Sequence, residues 1–233
     1  MSKRLKHPYL RYRLSCLRLL SFALLIVTAV PAQAQQNGAR PEKPARLFST
    51  DVTMQITLTA AWSEFVVDRS SGDSYPAKLE YTDDDGHPVS LDLKIERRGV
   101  KRQQVCSLPP IKLHFNKEDV KGTAFRGQKS IKMVTHCERA SRYQQYYVTE
   151  MLIYRMYNLV TDYSFRVRPL EVNYVDSRNG RKDKPRFAFL IEDDSDVARR
   201  NGLKKLVTPK VSPKRLDPKL SSEFTIFQFL IGN

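Results

Sequence analysis

Three groups of residues in this chain could do chemistry. The first is Arg97-Arg98-Gly99, which closes a stretch where Leu91, Leu93 and Ile95 alternate with polar residues. A glycine beside arginines at a strand end can bring backbone amides and guanidinium groups to a phosphate. One glycine also fits an ordinary exposed basic turn, and spacing alone favours that. The second group is Cys106 and Cys137, and the third is the run Asp83-Asp84-Asp85-Gly86. A calcium loop needs ligands at alternating positions and a distant glutamate, so the aspartates read as a solvated hairpin turn. His136, beside Cys137, lacks the further His or Cys that would complete a zinc site.

What the two cysteines do depends on compartment. Lys3, Arg4, Lys6, Arg11, Arg13 and Arg18 precede the apolar run 19–30, and Ala32-Gln33-Ala34 follows it. That is the pattern of a secretory signal peptide over 1–34 with an A-x-A cleavage site. The run falls short of the roughly twenty residues that cross a bilayer, so no transmembrane anchor is expected after cleavage. Cys16 precedes the apolar core and is not a lipid-anchor cysteine. An exported protein, periplasmic or extracellular, follows, and in an oxidising compartment Cys106 and Cys137 are expected to pair as a disulfide rather than stay free.

Six of the forty Lys and Arg leave with the leader and none of the 25 Asp and Glu, so the net charge falls from +15 to +9. The remaining cations are interspersed with acids, with no Lys/Arg block of five, no zinc-finger spacing and no RNP-like aromatic motif. This argues against nucleic acid as partner, although a polyanion could still meet the basic surface.

These groups need elements to position them. After a polar lead-in over 35–50, Val52, Met54, Ile56 and Leu58 alternate as a first strand, and a short helix over 60–67 turns Trp62, Phe65 and Val66 inward. Strands are expected over 77–82, 89–96 and 111–115, with a basic polar loop over 100–105. The stretch 129–194 reads as strand, long helix, strand, turn and strand. Tyr147, Val148, Met151, Leu152, Tyr154 and Leu159 give the helix a broad apolar face. Phe165 and Val167 alternate before Pro169; Leu170, Val172 and Tyr174 alternate after it, as though the register shifts. Phe187, Phe189 and Ile191 answer them across the turn 177–180. A short helix over 195–201 and a last one opened by Ser221 and Glu223, with Phe224, Phe227 and Ile231 on one face, complete the chain.

Over 91–233 these pieces, in order, resemble the spore-coat protein H (CotH) kinase-like family: Arg98-Gly99 at a strand end, IKLHF, QKSIKMV, the helix around Glu150, SFRVRPLEVNYV, FAFLIED and FTIFQFLIGN. The resemblance implies an α+β, atypical kinase-like fold, with an antiparallel sheet-rich N-terminal lobe over 51–194, one long packing helix, and the start of a helical second lobe over 195–233. It implies ATP and Mg2+ as cofactors and a protein substrate. Lys132 would be the strand lysine on the nucleotide phosphates, Glu150 the helix acid that orients it, and Glu192 the hinge acid, with Arg98 and Gly99 facing the phosphates. Lys132 as a plain surface lysine and Glu150 as a solvent-facing acid remain open alternatives. The family's serine-rich loop after Arg-Gly is replaced by 100–106. Its catalytic and metal-binding Asp and Asn would follow Asn233, so no catalytic or metal residue is assigned and this chain is expected to be an incomplete, inactive part of an ATP-dependent phosphotransferase. The alternative is a non-catalytic envelope or surface assembly protein.

Overall fold

The computed structural model describes residues 45–68, 72–208 and 210–232. Everything below concerns the unit Ala39–Asn233; the unit Met1–Gly38, with the expected leader, lies outside the described residues.

Seven strands form the body: β1 Met54–Ala60, β2 Ser74–Thr82, β3 Pro88–Arg97, β4 Ile111–Phe115, β5 Ser130–Val134, β6 Val167–Asp176 and β7 Arg186–Ile191. They close into a barrel in the order β1-β2-β3-β4-β5-β7-β6. One residue in two points inward, so Ile56, Leu58, Leu79, Leu93, Ile95, Leu113, Ile131, Met133, Leu170, Val172 and Leu190 fill the interior. The β2–β3 hairpin turns at the aspartate run: Asp83 Oδ1 accepts from the amides of Asp85 and His87 at 3.0 and 2.8 Å, and Gly86 takes φ 83°.

Both mouths are plugged. Helix α1, Trp62–Val67, follows β1 and drops Trp62 and Phe65 onto one end, where Phe65 meets Tyr75 edge-on at 5.2 Å. Phe125 seals the other between Tyr81 and Phe115, at 5.8 and 5.0 Å. Both phenylalanines are fully buried, and truncating either to alanine costs about 3 to 5 kcal/mol.

The expected α+β, kinase-like two-lobed arrangement is not what the chain forms. β1 pairs in parallel with β6, Met54 with Leu170 through Ala60 with Asp176, and this pairing closes an otherwise antiparallel sheet into a barrel. A lobe built on an open antiparallel sheet would leave β1 and β6 as edges; here each supplies the other's hydrogen bonds.

Helix α2, Val100–Val105, occupies the segment expected as a loop, and Gly99 enters it at φ 82°, a conformation glycine adopts without a Cβ clash. The long helix α3, Gln144–Val160, lies on the outside of the barrel, where Tyr147 and Met151 pack with Val134, Val167, Phe189 and Ile191. Its apolar face is narrower than its sequence implies, since Leu152 and Leu159 are 46% and 89% exposed. The apparent register shift at Pro169 is two-sided burial. β6 runs unbroken from Val167, facing α3, to Leu170, facing the interior.

Helix α4, Asp194–Arg200, begins at Asp193, whose side chain caps the Ser195 amide at 2.9 Å. Helix α5, Pro218–Leu230, starts earlier than Ser221 because Asp217 accepts from the Leu220 amide and Pro218 suits the first helical position. It meets α3 where Tyr157 stacks on Phe227 at 4.7 Å.

Candidate functional site

The end of β3 delivers Arg98, whose amide donates to Pro110 O at 2.9 Å. The turn at Gly99 then sends the chain into α2. There Arg102 reaches across to α3 and donates to Glu150 Oε2 at 2.9 Å. Lys132 sits on the outward face of β5, between inward Ile131 and Met133. Its ammonium lies 5.3 Å from the centroid of the Phe165 ring and donates to Asp194 Oδ1. Lys205 holds the other oxygen of Asp194 at 2.9 Å. Two lysines from different elements therefore converge on one carboxylate at the start of α4.

Burial works against the charge on Asp194, but the hydrogen bonds and positive charges of Lys132 and Lys205 outweigh it and hold the carboxyl below its ordinary range. Arg98 is half-buried, and desolvation pulls its guanidinium down while Tyr154, Glu150 and Asp194 act in the opposite direction. Its side chain makes no hydrogen bond or ion pair within the described residues. Burial and Glu150 push the Tyr154 phenol up. Alongside runs a largely apolar groove of about 420 Å³, walled by Tyr143, Tyr146, Tyr147 and Ile153, with Arg102, Glu138 and Glu150 as its charged lining.

The disulfide helps to fix this arrangement. Cys106 and Cys137 are bonded, with their Cα atoms 4.5 Å apart, and Ser107 N donates to Cys137 O at 2.8 Å. The bridge ties the end of α2, which carries Arg102, to the segment that leads into α3, which carries Glu150.

Of the residues singled out in the sequence, Arg98 and Glu150 are brought within electrostatic reach of one another, and Asp194 links Arg98 to Lys132. The pairings are not the expected ones: Lys132 is held by Asp194, and Glu150 by Arg102. Glu192 is wholly buried and serves another purpose. It accepts from Arg200 at 3.1 and 3.2 Å and from the Arg166 amide at 3.0 Å, joining the end of β7 to α4 and to the entry of β6. Arg102, Asp194 and Lys205 were not singled out, and Tyr154 was read only as part of the apolar face of its helix. The one local signal for any of them was Asp193-Asp194-Ser195, a helix start with its cap.

What such an arrangement can do is hold an anion. Arg98 offers donors in a planar fork that no side chain among the described residues takes up, and Lys132 and Lys205 share a single aspartate, which leaves one positive charge in excess for an anionic ligand. No family model, curated protein or solved structure matches the chain. The disulfide fits an oxidising, exported setting, and among the described residues no helix is long and apolar enough to cross a membrane.

Proposed function

We propose that this chain acts outside the cytoplasm, in the periplasm or beyond the cell, and binds a nucleoside polyphosphate, ATP with its Mg2+. The phosphates are taken by Arg98, Lys132 and Lys205, and the base and sugar by the tyrosine-walled groove beside α3. The observation that carries this reading is Arg98: a half-buried guanidinium with no hydrogen bond or ion pair among the described residues, within electrostatic reach of Glu150, which lines a groove of ligand size. The groove at 420 Å³ falls within the roughly 300–1,000 Å³ usual for organic ligands. A triphosphate chelated to Mg2+ supplies the charge that two lysines and an arginine would meet, and its planar base has aromatic walls to lie against.

Phosphoryl transfer to protein is the reaction suggested by the resemblance to the spore-coat protein H (CotH) kinase-like family. Binding without transfer, in an envelope or surface assembly, is the second reading. It is favoured by the pairing of Lys132 with Asp194 and of Glu150 with Arg102, so that Lys132 and Glu150 do not pair with each other to orient phosphates. Calorimetry of the full chain with ATP and Mg2+ tests the binding, and incubation with γ-labelled ATP separates the two readings: label on protein supports transfer, and binding with no label supports a binding module. Absence of heat with ATP, with or without Mg2+, overturns both.

A further inference from the structure

The connection from α4 to α5 and α5 itself form a stretch, 203–230, that contributes only Lys205 to the site above. Leu203, Leu206, Val207, Val211 and Leu216 stand exposed along the connection. Among them are Lys204, Lys210, Lys214 and Arg215, which make no ion pair among the described residues. The stretch holds six Lys and Arg against Asp217 and Glu223, a net +4. Both acids are already engaged: the Asp217 side chain caps α5 at the Leu220 amide, and Glu223 lies 3.9 Å from Lys219. Helix α5 is apolar on two sides. Phe227 is buried and, with Phe224, meets Tyr157 of α3. Ile226, Phe229 and Leu230 share another face at three- and four-residue spacing and are 60%, 82% and 75% exposed. Lys219 lies on that same face, seven residues before Ile226.

A helix apolar on two sides calls for cover on both. What covers the outer side must bring negative charge together with an apolar medium. A second copy of this chain, docked face to face, would set the same positive stretch against itself. A soluble polyanion would meet the lysines but leave Phe229 and Leu230 in water. The surface of an anionic bilayer answers both, since its headgroups attract basic segments and its acyl boundary takes up exposed apolar side chains. The 13 residues of α5 reach about 20 Å, short of the roughly 30 Å hydrocarbon core, so the helix would lie along the interface rather than cross it. We propose that the stretch 203–230 docks the protein on an anionic membrane surface, with Ile226, Phe229 and Leu230 at the acyl boundary and Lys210, Lys214 and Arg215 among the lipid phosphates.

Flotation of the exported chain with vesicles is the test, comparing phosphatidylglycerol and phosphatidylcholine in equal parts with phosphatidylcholine alone. The chain is expected to float with the anionic vesicles and to stay behind with the neutral ones. Salt at about 1 M, where the Debye length is about 3 Å, should release it. Lys210→Ala with Lys214→Ala should weaken the partition at least tenfold, since each cation near such a surface is worth about fivefold. Phe229→Ser with Leu230→Ser should weaken it at least tenfold as well, for want of apolar surface to bury. All four side chains are exposed, so neither double variant disturbs the core. Arg98, Lys132 and Lys205 are left intact, so a failure here and a failure of nucleotide binding are told apart. No flotation with anionic vesicles, or equal flotation with neutral ones, would overturn the proposal. Undiminished flotation of the Lys210 and Lys214 variant would remove the charge from the account, and undiminished flotation of the Phe229 and Leu230 variant would point to polyanion binding through the lysines alone; either overturns it too.

Discussion

Arg200 donates to both carboxylate oxygens of Glu192, at 3.1 and 3.2 Å, in a pair almost out of reach of solvent. The same guanidinium reaches the carbonyls of Asp162 and Ser164, so one arginine ties α4 to the end of β7 and to the loop after α3. Breaking a buried pair by removing one partner leaves the other charged and unsolvated, which costs about 3 to 5 kcal/mol. Arg200→Ala is therefore expected to lower the unfolding free energy measured in urea by about 3 to 5 kcal/mol. A loss below about 1 kcal/mol, the scale of exposed pairs, would mean that the pair does not fasten α4.

The Cys106–Cys137 bridge spans 31 residues. On the chain-entropy model, closing such a loop stabilises the fold by about 3 to 4 kcal/mol. The double variant Cys106→Ser with Cys137→Ser should unfold in correspondingly less denaturant, and reducing agent should shift the native protein the same way but leave the variant unchanged. An equal midpoint with and without reductant would remove the bridge from the stability of the protein.

Stability should also fall as the solution is acidified, through His136. Burial, then the charges of Arg186 and Arg139, depress the imidazole to about pH 4, with Asp183 opposing, whereas the unfolded chain keeps the ordinary 6.5. Below pH 6.5 the unfolded state takes up a proton that the folded state refuses until about pH 4. The contribution is therefore present in full above 6.5 and is lost as pH falls through this window, up to roughly 3 kcal/mol. Denaturant midpoints between pH 7 and 4.5 should decline more steeply for the native chain than for His136→Gln. Parallel curves would contradict the assignment.

Much of the fold was legible, but its closure was not. The β2–β3 hairpin is written in Asp85-Gly86 between alternating strands, and α3, β6 and β7 follow from their own periodicities. The pairing of β1 with β6 sets Gln55 beside Glu171, and nothing local links residues so far apart in sequence. Barrel closure over α3 also hid the alternation. On β7, Phe189 and Ile191 face the helix while Ala188 and Leu190 face the interior, so both faces are apolar and the alternation alone does not say which one turns inward. The site divides along the same line. Arg98, Gly99, Lys132 and Glu150 could be picked out because they belong to recognisable stretches. Asp194 and Lys205 could not, because what brings Asp194 to Lys132, and Lys205 to Asp194, is tertiary placement.

The central claim, that Arg98 with Lys132 and Lys205 takes the phosphates of a nucleotide, is most directly tested by calorimetric titration of ATP with Mg2+ into the unaltered chain and into Arg98→Ala and Arg98→Lys. The expected result is saturable binding to the unaltered chain, weakened at least tenfold, about 1.4 kcal/mol, in Arg98→Ala. Arg98→Lys should recover only part of the loss, because an ammonium cannot reproduce the bidentate fork. Equal affinities across all three proteins, or no binding by the unaltered chain, would contradict the claim.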